Sequence, residues 1–312
     1  MHTQNLNQWR HTHDFQVGST HGERRTLYVV ALTACMMVIE IGAGYLYGSM
    51  ALLADGWHMG THVAALGIAL FAYSYARHHA QNPHFTFGTG KVGSLGGFAS
   101  AIALAVVALL MGFESVERLL TPQMIHFDEA ILVAAVGLGV NLASAKLLQG
   151  GHEHSHHHDH AHSGHHHHDH NLRAAYLHVL ADALTSVLAI VALIAGKLFG
   201  WVWMDALMGI VGAIVIARWS YSLIRETSDV LLDGSPSKKL ANEVKLAVES
   251  DADNQVADLH LWQMGPDRVA AIISIVTHEP RDPSHYKALL AGFSDLAHTT
   301  IEVNACGGKP GD

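Results

Sequence analysis

Asp55-Gly56-Trp57-His58-Met59-Gly60-Thr61-His62 lies inside an apolar stretch of about residues 50–75, and its reading decides what the chain is. His58 and His62 stand four residues apart, so on a helix they share a face about one turn apart. Asp55, His58 and His62 fall at i, i+3 and i+7 and occupy one stripe. A second such piece, His178-Val179-Leu180-Ala181-Asp182, sits in another apolar stretch. Two such helices facing each other would offer three imidazoles and one carboxylate to a single ion. Four ligands suit tetrahedral zinc geometry. Three nitrogens and one oxygen favour cobalt, nickel and zinc over manganese. Asp55, a turn before His58, is a candidate approach or exit ligand.

The surrounding composition belongs to a membrane. Of 312 residues, 50% are hydrophobic and 14% charged, against about 25% charged in soluble domains. The formal net charge of −9 argues against nucleic acid as a partner. There are 27 histidines, which is the loudest anomaly in the sequence. Cys35 and Cys306 are expected in different compartments, so no disulfide is expected. No cleaved signal is expected from the polar N-terminus, and residues 1–25 read as a cytosolic tail containing His2, His11, His13 and His21.

Six apolar segments follow, at about 27–47, 50–75, 92–114, 130–148, 172–198 and 201–223. Spanning hydrocarbon takes roughly 20 residues. The expected fold is therefore an α-helical membrane protein with six transmembrane helices over residues 26–228. Glu40 lies within the first segment, and a carboxylate there is a functional candidate by default. Residues 77–91 form a polar loop with His78, His79 and His84. Residues 150–170 hold twelve histidines among Glu, Asp, Ser and Gly. Such a segment builds no core and suits loose capture of borderline metals. Arg24, Arg25, Arg77, Lys91, Lys146, Arg173, Arg225, Lys238 and Lys239 fall on one side if the spans alternate, against Arg118 and Lys197 on the other. The positive-inside rule then makes both termini and the His-rich loop cytosolic.

After Asp233-Gly234-Ser235-Pro236 the character changes, and residues 229–312 read as a small cytosolic α+β domain. Ser235 is the expected N-cap of a helix with Pro236 at its first position. Strands are expected at 256–264 and 268–277, a helix at 284–297 starting from Asp282-Pro283, and a last strand at 299–305. The order α-β-β-α-β suggests a ferredoxin-like domain, marginal alone at this size and helped by dimerisation.

The histidines also supply a motive chemistry. Imidazole titrates near neutrality and binds metal only when neutral, so metal and protons compete for it. A site opened alternately to each side would exchange outgoing metal for incoming protons. No GxxxxGK[ST] run is present, which argues against an ATP-driven pump.

Five motifs together resemble the cation diffusion facilitator family: Ala54-Asp55-Gly-Trp-His58-Met-Gly-Thr-His62, Phe85-Thr-Phe-Gly-Thr-Gly-Lys91, His178-Val-Leu-Ala-Asp182, Leu231-Leu-Asp233-Gly and Asp258-Leu-His-Leu-Trp262. The resemblance covers about residues 27–306. It implies a homodimeric exporter of divalent metal, working by proton antiport, with no enzymatic activity and no cofactor beyond the transported ion. It makes a multi-pass protein of the cell membrane, in bacteria the inner membrane. Zinc-type members carry Asp where this chain has His62, and the sequence is similar to the cobalt and nickel branch. Cobalt is therefore ranked first, then nickel, with zinc and cadmium also expected. The resemblance pairs Lys91 with Asp233 as a charge pair near the dimer interface. It also marks His260, His278 and His298 as metal-binding positions of the tail. A membrane-surface metal site found in some members would fall on Asn82, Phe85 and Thr89, a poor ligand set. Two rival readings remain, a nickel or cobalt uptake permease and a membrane-anchored metal sensor or buffer.

Overall fold

The computed structural model describes residues 23–79, 82–149, 167–265 and 268–307, with the side chains of 23–30, 62, 66, 69, 73, 144–149 and 167–182 outside the description. The N-terminal tail and most of the His-rich loop thus lie outside the described residues. Six helices come first: α1 (Glu23–Tyr47), α2 (Met50–His78), α3 (Val92–Leu120), α4 (Phe127–Gln149), α5 (His167–Phe199) and α6 (Trp203–Leu231). They coincide with the six expected segments but run longer. α5 begins inside the His-rich segment, and α6 continues past the expected boundary at residue 228. Among the described residues, α2, α3 and α6 are long and apolar enough to cross a membrane, while α1 and α5 contribute shorter apolar lengths, Ala31–Tyr47 and Ala183–Phe199.

Among the described residues two compact units emerge, one from residues 23–67 with 100–222 and one from residues 68–99 with 223–307. In the first, polarity is inverted relative to a soluble bundle. Leu46, Leu109, Leu110 and Phe113 face outward, while Glu40, Asp55, His58, Ser115, Ser186 and Asp205 are buried. That is the arrangement expected when the surrounding solvent is hydrocarbon. One apolar cluster joins α2, α3 and α6 through Met50, Ala54, Ala108, Met111 and Ile216. A second joins α1, α4 and α5 through Ala43, Ala130, Ala134 and Leu193. Helices approach closely where glycine permits it. A Cβ at Gly212 of α6 would stand 2.6 Å from the Ala54 Cβ of α2.

In the second unit, a soluble-type core forms around three strands. α7 (Lys238–Glu249) precedes β1 (Gln255–Gly265), β2 (Arg268–Thr277), α8 (Pro283–Leu289) and β3 (Leu296–Ala305). The order α-β-β-α-β is the expected one. β2 is central, antiparallel to β1 and parallel to β3. Val269, Ala271, Ile273 and Ile275 alternate along β2 onto one buried face, where Val244 and Val248 of α7 and Tyr286 of α8 complete the core. An irregularity between Val256 and Asp258 breaks the alternation of β1. It lets Val256, Leu259 and Leu261, separated by three and then two residues, all meet that core.

Two expected boundaries need correction. The N-cap of α7 is Ser237, not Ser235; its hydroxyl accepts from the Leu240 N–H. Pro236 precedes the cap instead of opening the helix. α8 ends at Leu289, well short of residue 297. Leu290, Phe293 and Leu296 continue a helix-like apolar spacing, yet they reach the core through successive turns. The chain must reverse there to lay β3 parallel to β2, and Val269 N–H is already bonded to the Asp295 carbonyl.

Candidate functional site

α2 starts from a heavily satisfied cap. Ser49 Oγ accepts from Leu52 N–H at 3.1 Å. Asp205, in the first turn of α6, accepts from Ser49 Oγ at 2.6 Å, Met50 N–H at 2.7 Å and Ala51 N–H at 3.0 Å. Free N–H groups at a helix start favour a carboxylate, and here one is supplied by a different helix. Arg118 of α3 donates to the Gly48 carbonyl beside the same cap and to Glu114. The register of α2 is set by these bonds, and with it the height of His58.

His58 is 7% exposed and Asp55 4%. Both line a cavity of about 30 Å³ together with Thr185 of α5 and Met208, Gly212 and Val215 of α6. That volume holds about one water molecule or a stripped ion. The His58 ring lies 5.5 Å from the Trp219 ring. Thr61 Oγ1 donates to the His58 carbonyl at 2.7 Å, a back-bond that commonly bends a helix. Asp55 accepts from Ser186 Oγ at 2.7 Å, and Asn141 Nδ2 reaches the same hydroxyl at 3.5 Å. A polar line thus runs from α4 through α5 to α2 inside an apolar bundle.

The remaining expected ligands are placed by backbone alone. His62 follows His58 by one turn of α2. His178 and Asp182 lie on α5 at positions whose helical stripe continues to Thr185, Ser186 and Ala189. The side chains of all three lie outside the described residues. Buried Glu40 of α1, already singled out in the sequence, has neither oxygen hydrogen-bonded among the described residues. Ser186, Thr185, Asp205 and Trp219 were not picked out by the sequence reading. Ser186 carried a usable signal, a hydroxyl one turn after Asp182.

Elsewhere, Lys91 and Asp233 do meet, Nζ bonding Oδ1. Asp233 adopts φ 58°, a left-handed geometry that Asp tolerates better than most residues. The three tail histidines are not gathered together; among the described residues no three His, Cys, Asp or Glu side chains form a metal-holding group. His260 contacts Asp258 at 2.8 Å, and His298 lies 5.7 Å from the Phe87 ring. His278 Nδ1 is 2.6 Å from Asp253, which also accepts from Thr277 Oγ1 and from His278 N–H. Those three bonds hold the Asp253 carboxyl down to about 2.

A family described as the cation efflux transmembrane domain matches residues 26–232. The zinc transporter ZitB of Shigella flexneri is 33% identical over 90% of this chain and 87% of its own length. The cadmium, cobalt and zinc/H(+)-K(+) antiporter of Bacillus subtilis is 30% identical over 80% and 77%. The metal cation efflux system protein CzcD of Cupriavidus metallidurans is 29% identical over 94% and 89%.

Proposed function

The chain belongs to the cation efflux family, a family of transporters rather than enzymes, and from that premise we propose how this multi-pass membrane protein moves its divalent cargo. The reading is export of a borderline divalent metal from the cytosol through six spans, in exchange for protons, by a homodimer with cytosolic termini. The transport ligands are His58 and His62 of α2 with His178 and Asp182 of α5. The observation that carries this is His58, a histidine buried in an apolar helix at an ion-sized cavity beside α5.

The chemistry follows from the donors. A divalent ion leaves its water shell only if strong ligands replace it. Neutral imidazoles bind it, and protonation of the same nitrogens releases it. The His-rich loop raises the local metal concentration near the cytosolic mouth. The relatives' names include zinc, cadmium and cobalt. His62 in place of an aspartate leaves the site one negative charge poorer, and this tilts preference from zinc toward cobalt and nickel. Lys91 and Asp233 serve as the charge pair near the dimer interface, and His260, His278 and His298 are accessory metal positions of the tail.

The test is metal content in cells expressing the wild type, His58→Ala, Asp182→Ala and His62→Asp, with zinc, cobalt and nickel supplied separately. Expected are high metal content in the two alanine variants and a cobalt-to-zinc export ratio lowered by His62→Asp. Export by His58→Ala equal to wild type would refute the site. An unchanged ratio in His62→Asp would refute the selectivity.

A further inference from the structure

The first turn of α2 is held from three sides. Asp205 of α6 accepts from Ser49 Oγ at 2.6 Å and from the N–H groups of Met50 at 2.7 Å and Ala51 at 3.0 Å. Arg118 of α3 donates to the Gly48 carbonyl at 2.6 Å, and His126 N–H, from the α3–α4 connection, donates to the Tyr47 carbonyl at 3.0 Å. Gly48 takes φ 71°, and a Cβ there would stand 2.7 Å from the Met124 carbonyl oxygen. Gly209, one turn after Asp205, lets the three helices close up. A Cβ on it would stand 2.3 Å from Ser115 Oγ of α3 and 2.9 Å from the Met50 Cβ of α2.

This cluster sits directly against the His58 cavity. Ala51 lines that cavity while its N–H is held by Asp205, and Met208, three residues after Asp205, lines it from α6. A path from the cavity to the 48–49 turn along the seam of α2 and α6 passes between Ala51 and Met208, and it parts Ala51 from Asp205. The neighbouring seam of α2 and α5 is closed by apolar packing, Leu52 of α2 against Leu193 of α5 with Ala130 and Ala134 of α4. Both leucines are fully buried.

The two seams differ in what they offer an ion. The apolar one holds no oxygen for a cation stripped of water. The other holds Asp205 and Ser49, both buried and both bonded while the seam is shut. Hydrogen bonds to a carboxylate are among the strong ones, and a buried carboxylate parted from its donors is strongly disfavoured. The α2–α6 seam therefore stays shut until another group satisfies those oxygens. Entering water or a departing divalent cation does so.

We propose that Asp205, Ser49 and the first turn of α2 are the non-cytosolic gate of the transporter, a latch that seals the His58 cavity while bonded and opens the α2–α6 seam when it parts. Asp205 is then a positioning residue of transport, acting through the start of α2. Calling this side non-cytosolic rests on the orientation proposed above; the latch itself rests on the packing of α2, α3 and α6.

The experiment reads access to the cavity from each face of the membrane. Cys35→Ala and Cys306→Ala remove the two natural thiols. Ala51→Cys then places one thiol on the cavity wall beneath the latch. The full chain is assayed in right-side-out and in inverted membrane vesicles with a membrane-impermeant methanethiosulfonate reagent. Thermal midpoints are measured for every variant, and labelling is done below the lowest of them. With the latch intact, labelling in right-side-out vesicles is slow. Asp205→Ala should speed it at least about tenfold by raising the open population, while the rate in inverted vesicles stays within about twofold. Ser49→Ala, which removes one bond, should give a rise of about threefold on the same side, and it keeps the test decisive if Asp205→Ala does not fold. Loosening of the whole bundle speeds labelling from both faces alike. That result, or no acceleration from either face in either variant, would overturn the latch. Acceleration confined to inverted vesicles would keep the latch and overturn the orientation.

Discussion

His58 and His278 are the same residue type in opposite settings, and the contrast separates the two parts of the molecule. His278 closes β2 of the tail, 30% exposed, with its Nδ1 against Asp253. His58 lies in a helix whose outward neighbours are apolar and whose polar contacts point inward. In the tail a histidine–aspartate pair ties two loop ends together with water close by, and it contributes little. In the helical unit the buried polar groups are removed from water, so each must be satisfied by another helix or by a passenger. Buried polar groups among the helices, the Asp205 cap of α2 included, therefore depend on a partner from another helix far more than polar groups of the sheet depend on theirs.

That contrast can be broken most directly by substituting the two histidines. His58→Ala should cut metal export by about a hundredfold or more, the upper end of what metal sites lose on perturbation. His278→Ala should leave export within about twofold. Flux measurements in vesicles read both, and equal losses would erase the distinction.

Core loss in the tail comes next in size. Tyr286 is fully buried among Val244, Val248 and Ile273. Tyr286→Ala should destabilise the tail by about 3–5 kcal/mol. Circular dichroism during urea titration should show strand signal lost before helix signal. A single shared transition at the wild-type midpoint would contradict the separateness of the two cores.

The cap of α2 should matter somewhat less. Asp205→Ala removes the acceptor for three donors and should cost about 2–3 kcal/mol. Thermal melts of the solubilised protein measure it, and a midpoint unchanged from wild type would show that Ser49 alone satisfies the helix start.

The smallest effect expected is acid sensitivity of the tail. Asp253 is held at about 2 against an ordinary 3.8 by Thr277 and His278. A depressed carboxyl adds stability that is complete above the ordinary value and is lost as pH falls through the folded one. Asp253→Asn should therefore flatten the decline in tail stability between about pH 4 and pH 2. An identical decline in wild type and variant would show that other carboxylates govern it.

Much of the helical unit was legible because hydrophobic runs and a four-residue ligand spacing are local signals. The 50–75 and 172–198 stretches became α2 and α5, with the paired His and Asp positions on helices. Asp282 and Pro283 announced the start of α8 in the same way, as cap and first turn. The failures came where local pattern and chain path disagreed. Leu290, Phe293 and Leu296 look helical by spacing, but the return to a parallel strand forces turns on them. Ser235 and Ser237 are equally good caps by type, and only the fold shows which hydroxyl reaches a free N–H, Ser237 at Leu240.

The sequence by itself determined that apolar helices carry histidine and aspartate at four-residue spacings and that a small α-β-β-α-β domain follows, because periodicity, capping residues and motif spacing act over a few neighbours. Only the tertiary structure decided which distant groups share one buried space. Ser49 meets Asp205 across 156 positions and Asp55 meets Ser186 across 131. No local rule predicts such pairs, since they exist only once helices pack at glycine distances and exclude water. Among apolar helices, that exclusion turns an ordinary serine or glutamate into a group that must find a partner.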